Sequence, residues 1–119
     1  MELLLFLLIV KHCVIDLGIQ SQFLWGKTYK KVNYFGCHSH YLHHAIGTFI
    51  MFALLTDWKT TLLATVIEYI VHWHIDFTKH NLNIALDLKR SDKMYWWTAT
   101  ADQLLHFLTY YLLVIYLAM

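Results

Sequence analysis

The chain has 119 residues, of which 59% are hydrophobic and only 14% are charged, whereas ordinary soluble domains carry about 25% charged residues. This length suits one domain, and this balance favours lipid over water as the solvent. The formal net charge of +1 gives no reason to expect nucleic acid as a partner.

Four apolar segments predict helices, and with no proline in the chain these helices can run unbroken. We place them at about residues 3–25, 38–56, 58–78 and 94–118. A helix needs about 20 residues to cross the hydrocarbon core of a bilayer, and each segment is about that long. The predicted fold is therefore all-α, a four-helix transmembrane bundle with residues 1–119 as its single domain.

The connections agree with these boundaries. Asp57 is expected to cap the third helix, and Ser91 or Asp92 is expected to cap the fourth. Residues 81–90 alternate apolar and polar side chains, and we expect this segment to lie along the membrane interface.

The fourth predicted helix shows most clearly which face is hidden. It is apolar almost all round, and its polar side chains form one stripe made of Asp102, His106 and Tyr110. A helix of a soluble bundle exposes its polar face to water. A helix that is mostly apolar and carries one ionisable stripe suits a bilayer, where such a stripe faces the bundle interior. A soluble helical bundle is the alternative.

The basic residues predict the orientation. Seven of the nine lie on one side of the predicted bundle or at its edge, namely Lys27, Lys30, Lys31, Lys79, Lys89, Arg90 and Lys93. Because basic loops stay in the cytoplasm, loops 26–37 and 79–93 are predicted to be cytoplasmic and both termini to face outward. The expected location is the inner, cytoplasmic membrane, with several spans.

Each predicted helix carries ionisable or amide side chains four residues apart, which places them on one helical face. The stripes are His12–Asp16–Gln20, His40–His44, Glu68–His72–Asp76 and Asp102–His106. Depths counted at about 1.5 Å per residue allow all four stripes to meet in the cytoplasmic half of the bundle. The predicted bundle therefore encloses a buried His/Asp cluster.

The charges of such a cluster must be balanced inside the bundle, because a charged side chain in lipid costs about 2.5–3.5 kcal/mol on insertion scales. A divalent cation balances them, since neutral imidazoles and carboxylates are its ligands. Zinc is the expected metal, with iron or manganese as alternatives. The predicted ligands are His12, Asp16, His44, His72, Asp76, Asp102 and His106. The residues expected to support them are Gln20, His40 and Gln103. A metal-free hydrogen-bond network and a proton or ion path are the other interpretations.

Several of these residues also match a known family. The matching elements, in family order, are His12-x-x-x-Asp16-x-x-x-Gln20, Leu42-His43-His44-Ala45, His72-x-x-x-Asp76 with Lys79, and Asp102-Gln103-x-x-His106. In these motifs the sequence resembles the domain of unknown function 3307 family of small bacterial and phage membrane proteins. The resemblance implies a relation to membrane-bound metal-dependent hydrolases. It carries over six site residues, His12, Asp16, His72, Asp76, Asp102 and His106.

The second predicted helix leaves the register open between His43 and His44, and the stripe favours His44. The chain departs from the family in being short and histidine-rich before this helix, which indicates a minimal, phage-borne version.

The leading functional hypothesis is a metal-dependent hydrolase acting on a lipid or lipid-linked ester or phosphoester. A bound cation would supply hydroxide, and Glu68 or Asp16 would act as general base. The expected partners are the bilayer, a lipid-linked substrate and a second copy of the chain.

Two further classes stay open. The first is a non-enzymatic metal or proton conductor, or a membrane-embedded partner protein. The second is a small di-iron oxygenase, since His40-x-x-His43-His44 resembles one histidine box of membrane desaturases, although no second such box is present. Haem binding by paired histidines suits the neighbouring carboxylates less well than a bare cation does.

Overall fold

In a computed structural model the described residues are 1–19 and 38–119, and they contain four helices and no strand. Helix α1 spans Glu2–Cys13 and continues as a π-helical segment over Val14–Ile19. Helix α2 spans His38–Ala53 and α3 spans Trp58–Ala85. Helix α4 spans Lys93–Leu113 and continues as a π-helical segment over Val114–Ala118. These elements confirm the all-α, four-helix part of the prediction.

Some expectations fall on the remaining residues. Gln20, the expected end of the first helix at residue 25 and the loop 26–37 lie outside the described residues.

The α2–α3 turn forms as expected at Asp57. Its Oδ1 accepts hydrogen bonds from the backbone N–H groups of Lys59 at 3.0 Å and Thr60 at 3.1 Å. Its Oδ2 accepts a hydrogen bond from the Thr60 hydroxyl at 2.6 Å. These bonds, the Thr60 hydroxyl first, lower the pKa of the exposed Asp57 carboxyl. They also satisfy N–H groups that have no partner inside the helix.

Helix α3 runs past its expected end at residue 78 and takes in the first half of the segment 81–90. No glycine or proline stands between Trp58 and Ala85 to break the helix. The helix ends at Ala85, and Asp87, two residues later, has a φ of 49° in the left-handed region typical of a residue just after a helix. Asp92 occupies the cap position of α4, but its Oδ2 accepts a hydrogen bond from the backbone N–H of Lys89 at 2.7 Å. That carboxylate therefore closes the α3–α4 turn and makes no side-chain cap bond.

The hydrophobic core lies at one end of the bundle, which we call the apolar half. It brings together the start of α1, the α2–α3 turn and the end of α4. Its buried members are Leu4, Leu8, Phe52, Ala64, Tyr110, Leu113 and Val114. The opposite end, which we call the polar half, contains the buried histidines and aspartates.

Gly47 fixes how closely α1 and α2 approach each other between the two halves. A Cβ atom at this position would lie 2.6 Å from Cδ and 2.7 Å from Cγ of Lys11. A side chain there would displace the Lys11 stem, so only glycine accommodates this crossing. Small residues allow such close approach between helices in membrane bundles.

Many large apolar side chains lie on the outer surface, while four charged side chains of the described residues are buried: Lys11, Glu68, Asp76 and Asp102. Leu17 is 76% exposed, Leu54 69% and Leu104 62%. Among the described residues, one helical stretch, Lys93–Ala118, is by length and composition able to span a membrane, with a mean hydropathy of 1.3.

Candidate metal centre

Five buried imidazoles and three aspartates from all four helices converge in the polar half. Each histidine is at most 2% exposed: His12, His40, His44, His72 and His106. The aspartates are Asp16, Asp76 and Asp102, and the structure brings all eight side chains together. The stripe spacing of four residues accounts for this, because it holds the polar side chains of each helix on its inner face.

Asp16 collects histidines from α1 and α2. Its Oδ1 lies 2.8 Å from His44 Nε2 and 3.5 Å from His40 Nε2. Its Oδ2 lies 3.1 Å from His12 Nε2. The Asp16 side chain is 21% exposed, so it is the most accessible of the three aspartates. It lies in the π-helical segment, a local irregularity that frequently marks functional sites.

Asp76 collects histidines from α2, α3 and α4. Its Oδ1 lies 3.0 Å from His106 Nε2. Its Oδ2 lies 3.1 Å from His40 Nε2 and 3.3 Å from His72 Nε2. His40 therefore reaches both Asp16 and Asp76. The sequence placed His40 in a supporting role, whereas its position is that of a candidate ligand.

Asp102 connects the cluster to the basic residues of the polar half. Its Oδ2 accepts hydrogen bonds from Lys79 Nζ and Gln103 Nε2, both at 3.1 Å. Gln103 Nε2 also donates to Asp16 Oδ2 at 3.4 Å, so Gln103 contacts two candidate ligands. Oδ1 of Asp102 is 3.5 Å from His106 Nε2 and accepts no hydrogen bond from the described residues.

A second buried network lies next to the cluster, on the side of the apolar half. Lys11 Nζ donates to Tyr110 Oη at 3.0 Å, to Glu68 Oε1 at 3.4 Å and to the carbonyl oxygen of His44 at 3.3 Å. Tyr110 Oη in turn donates to Glu68 Oε1 at 3.1 Å. Sequence reasoning did not assign Lys11 or Tyr110 to the site. The signal was present, since Tyr110 continues the Asp102–His106 stripe and Lys11 adjoins His12.

The same network contacts His12. Its Nδ1 is 2.8 Å from the Tyr110 oxygen, and its Nε2 is 3.1 Å from both Asp16 Oδ2 and Gln103 Oε1. Because both groups near Nε2 are acceptors, this nitrogen needs a proton or a metal cation.

His72 presents the same arrangement on α3. Its Nδ1 is 3.2 Å from Glu68 Oε1, so this nitrogen donates to the carboxylate. Its Nε2 faces Asp76 Oδ2 at 3.3 Å without a hydrogen bond among the described residues. The Glu68 carboxylate behind His72 is the usual partner of a metal-bound imidazole, because it fixes the ring and its tautomer.

Protons alone suit this cluster poorly. The His72 ring lies 4.0 Å, centroid to centroid, from both His44 and His106. Two unit charges about 4 Å apart repel by about 4 kcal/mol at an effective dielectric constant of about 20. A metal ion can draw on several neutral imidazoles at once without this repulsion, so the donor set fits a cation.

The charge balance supports the same fit. Four carboxylates lie in or against the cluster in the described residues, Asp16, Glu68, Asp76 and Asp102, and two lysines contact them, Lys11 and Lys79. With neutral imidazoles the site has an excess of two negative charges, which one divalent cation balances.

Three overlapping sets of side chains could hold an ion. Within each set, the atoms that could bind the ion lie within 4.8 Å of one another. The first set is Asp16, His40, His44 and His72, the second is His12, His72 and His106, and the third is Asp76, Asp102 and His106. Because His72 and His106 each occur in two sets, the sets make one continuous site. The mixed nitrogen and oxygen donors suit zinc, iron or manganese.

The structure also separates the two adjacent histidines of α2. His44 is fully buried and contacts Asp16, whereas His43 is exposed and its Nδ1 lies 2.6 Å from the carbonyl oxygen of Ser39. The four-residue spacing of His40 and His44 in the sequence therefore identified the histidine of this pair that faces the cluster.

Comparison with known proteins gives a family and no function. Neither the curated proteins nor the solved structures contain a match to this chain. One family model, described as protein of unknown function (DUF3307), matches residues 4–119. The chain therefore belongs to the DUF3307 family.

Proposed function

We propose that this protein is a multi-pass membrane protein that binds a divalent metal inside its bundle and uses it to hydrolyse a lipid or lipid-linked ester or phosphoester. The observation that carries the proposal is the inverted distribution of polarity. Large apolar side chains cover the outside, while five imidazoles and three aspartates are gathered inside.

The membrane part of the proposal is supported by the surface and the dimensions. The protein measures 44 × 24 × 23 Å, and its long axis matches the roughly 40–45 Å of a bilayer with its headgroups. The described basic residues at or near the α3–α4 turn are Lys79, Lys89, Arg90 and Lys93, whereas Lys59 is at the opposite end. The positive-inside rule then directs the polar half to the cytoplasm and both termini outward, across the inner membrane.

The chemistry follows from the donor set. A divalent cation supplies a hydroxide nucleophile near neutral pH, because it lowers the pKa of coordinated water to about 7. The candidate ligands are those of the three sets above, with zinc as the first expectation and iron or manganese as alternatives.

Asp16 is the preferred general base. It is the most accessible aspartate of the cluster, and it lines a cavity together with His40 and Asp76. Glu68 was the other sequence-based candidate. It is 1% exposed, so a substrate or water reaches it less readily than Asp16, and its Oε1 receives hydrogen bonds from Lys11, Tyr110 and His72. These contacts favour a positioning role for Glu68, holding His72 in the tautomer that binds a metal.

The alternatives receive less support. An ion conductor needs a polar path to both ends, but Leu4, Leu8 and Phe52 fill the apolar half of the described structure. A di-iron oxygenase of the desaturase type would use the histidine box of α2, yet His43 of that box faces outward.

The test compares two adjacent histidines. His44→Ala and His43→Ala variants are purified in detergent beside the wild type, and zinc, iron and manganese are measured by elemental analysis. Hydrolysis of lipid ester and phosphoester substrates is assayed on the same samples. We expect His44→Ala to lose metal and activity together and His43→Ala to keep both. A metal-free protein with full activity would refute the proposal, as would metal retention by His44→Ala equal to that of His43→Ala.

A further inference from the structure

Two cavities of different character share Lys79 in their lining. The first, of about 370 Å³, is the more polar of the two and is lined by Asp16, His40 and Asp76 of the His/Asp cluster. The second, of about 560 Å³, is an apolar groove between α3 and α4. Lys79 lines both cavities, and Asp102, to which it is ion-paired at 3.1 Å, lines the groove. The groove therefore leads from the outer surface to the edge of the cluster.

The polar cavity carries the groups that bind an anion. Lys79 and Arg90 line it opposite the aspartates, and Tyr95 lies beside them. The α3–α4 turn that bears Arg90 is anchored, because Trp96 Nε1 donates to the Arg90 carbonyl oxygen at 2.7 Å. Arg90 is exposed, and within the described residues its side chain enters no ion pair. Guanidinium groups bind phosphate through paired hydrogen bonds.

The groove carries the groups that bind an alkyl chain. Val71, Ile75, Leu82, Ala101 and Leu105 line it. Its volume is within the range of about 300–1,000 Å³ of ordinary ligand pockets. An alkyl chain that lies in this groove would have its headgroup near Lys79.

We propose that this protein binds a lipid phosphate, with the phosphate in the polar cavity between Arg90 and Lys79 and one alkyl or prenyl chain in the α3–α4 groove. The proposal rests on the proposed function and narrows its substrate to the phosphoester class. An apolar groove and a more polar cavity that share a lysine in their lining suit an anionic amphiphile better than a free anion or a neutral lipid. Arg90 binds the headgroup, and the groove sets the preference for a chain.

Binding is measured with the full-length protein in phosphatidylcholine nanodiscs, after subtraction of protein-free nanodiscs, and the metal content of each sample is determined. The probes are dodecyl phosphate, inorganic phosphate and dodecanol. We expect dodecyl phosphate to bind at least tenfold more tightly than either of the other two probes. If inorganic phosphate bound as tightly as dodecyl phosphate, the groove would not bind the chain. If dodecanol bound as tightly as dodecyl phosphate, the polar cavity would not bind the phosphate. Either result would overturn the proposal.

Variants identify the two cavities separately. Arg90→Gln should weaken dodecyl phosphate about tenfold and leave dodecanol unchanged, with the exposed neighbour Lys89→Gln as the matched control. Ala101→Phe, which fills the groove, should weaken dodecyl phosphate but not inorganic phosphate. Metal-loaded protein without these preferences overturns the lipid phosphate proposal alone. Protein that binds no metal overturns the proposed function, whichever probe it prefers.

Discussion

At the end of the bundle that holds both termini, the helices pack through Leu4, Leu8 and Phe52, whereas at the other end the same four helices face one another through histidines and aspartates. The buried core of the apolar half is made almost entirely of hydrocarbon side chains packed against one another. The polar half gathers imidazoles and carboxylates, and its described residues have an excess of negative charge. The two halves meet at Lys11, Tyr110 and Glu68.

This difference assigns separate tasks to the two halves. In lipid there is no hydrophobic drive between helices, so packing and interhelical polar contacts hold a bundle together. The apolar half supplies packing that persists without a ligand. The polar half is stable only if its carboxylates are compensated, which makes its stability depend on the cation. Changes in the two halves should therefore have different effects on stability and on metal binding.

The largest effect is expected at the junction of the two halves. Lys11→Met removes the ammonium group next to Glu68. Both residues are at most 6% exposed, so water cannot replace the lost charge. Breaking one partner of a buried pair costs about 3–5 kcal/mol, because the other charge stays buried and uncompensated. The free energy of unfolding in detergent should fall by about this amount, and Lys59→Met at the exposed turn should have almost no effect.

A second substitution tests the reason for that loss. Glu68→Gln in the Lys11→Met background removes the uncompensated charge and should recover at least half of the lost stability. A Lys11→Met variant as stable as the wild type would contradict the account, as would a double variant no better than the single one.

A smaller effect is expected within the apolar half. Leu8 is fully buried, and Leu8→Ala leaves a cavity that costs roughly 2 kcal/mol, at the low end of such substitutions because lipid solvates the unfolded side chain. Metal content should stay that of the wild type. Leu3→Ala, at a position 58% exposed on the same helix, is the control and should change neither quantity. Loss of metal in Leu8→Ala at preserved folding would mean that the halves are not separate.

The smallest effect is expected at the turn after α3. Asp87 adopts a φ of 49°, which is unfavourable for residues with a Cβ and easy for glycine. Asp87→Gly should be more stable than Asp87→Ala by about 1 kcal/mol, with unchanged metal content in both. Thermal unfolding of the two variants measures this difference. Equal stability would show that the backbone conformation there contributes nothing.

The sequence predicted the composition of the site better than its geometry. A spacing of four residues places side chains on one helical face whatever the tertiary structure, so the four stripes and His44 could be identified in advance. The rotation of neighbouring helices depends on packing along their whole length, and no local pattern encodes it. The position of His40 between Asp16 and Asp76 depends on this rotation, so it could not be predicted from the sequence.

Helix ends show the same limit. Asp57 was predictable because its cap depends on residues two and three positions away. The end of α3 was placed too early, since a polar stretch such as Lys79–Asn81 is compatible with both a helix and a loop. The π-helical segment that carries Asp16 contains Gly18, but a single glycine does not distinguish a π-helical turn from an α-helical one.

The most direct test of a cation in the polar half is anomalous diffraction from crystals of metal-loaded protein, recorded at the absorption edge of the metal found by elemental analysis. The account predicts a peak inside the bundle, about 2.0–2.2 Å from imidazole nitrogens and carboxylate oxygens of the His/Asp cluster. A peak confined to the protein surface, or an ordered cluster with no peak in it, would contradict the account.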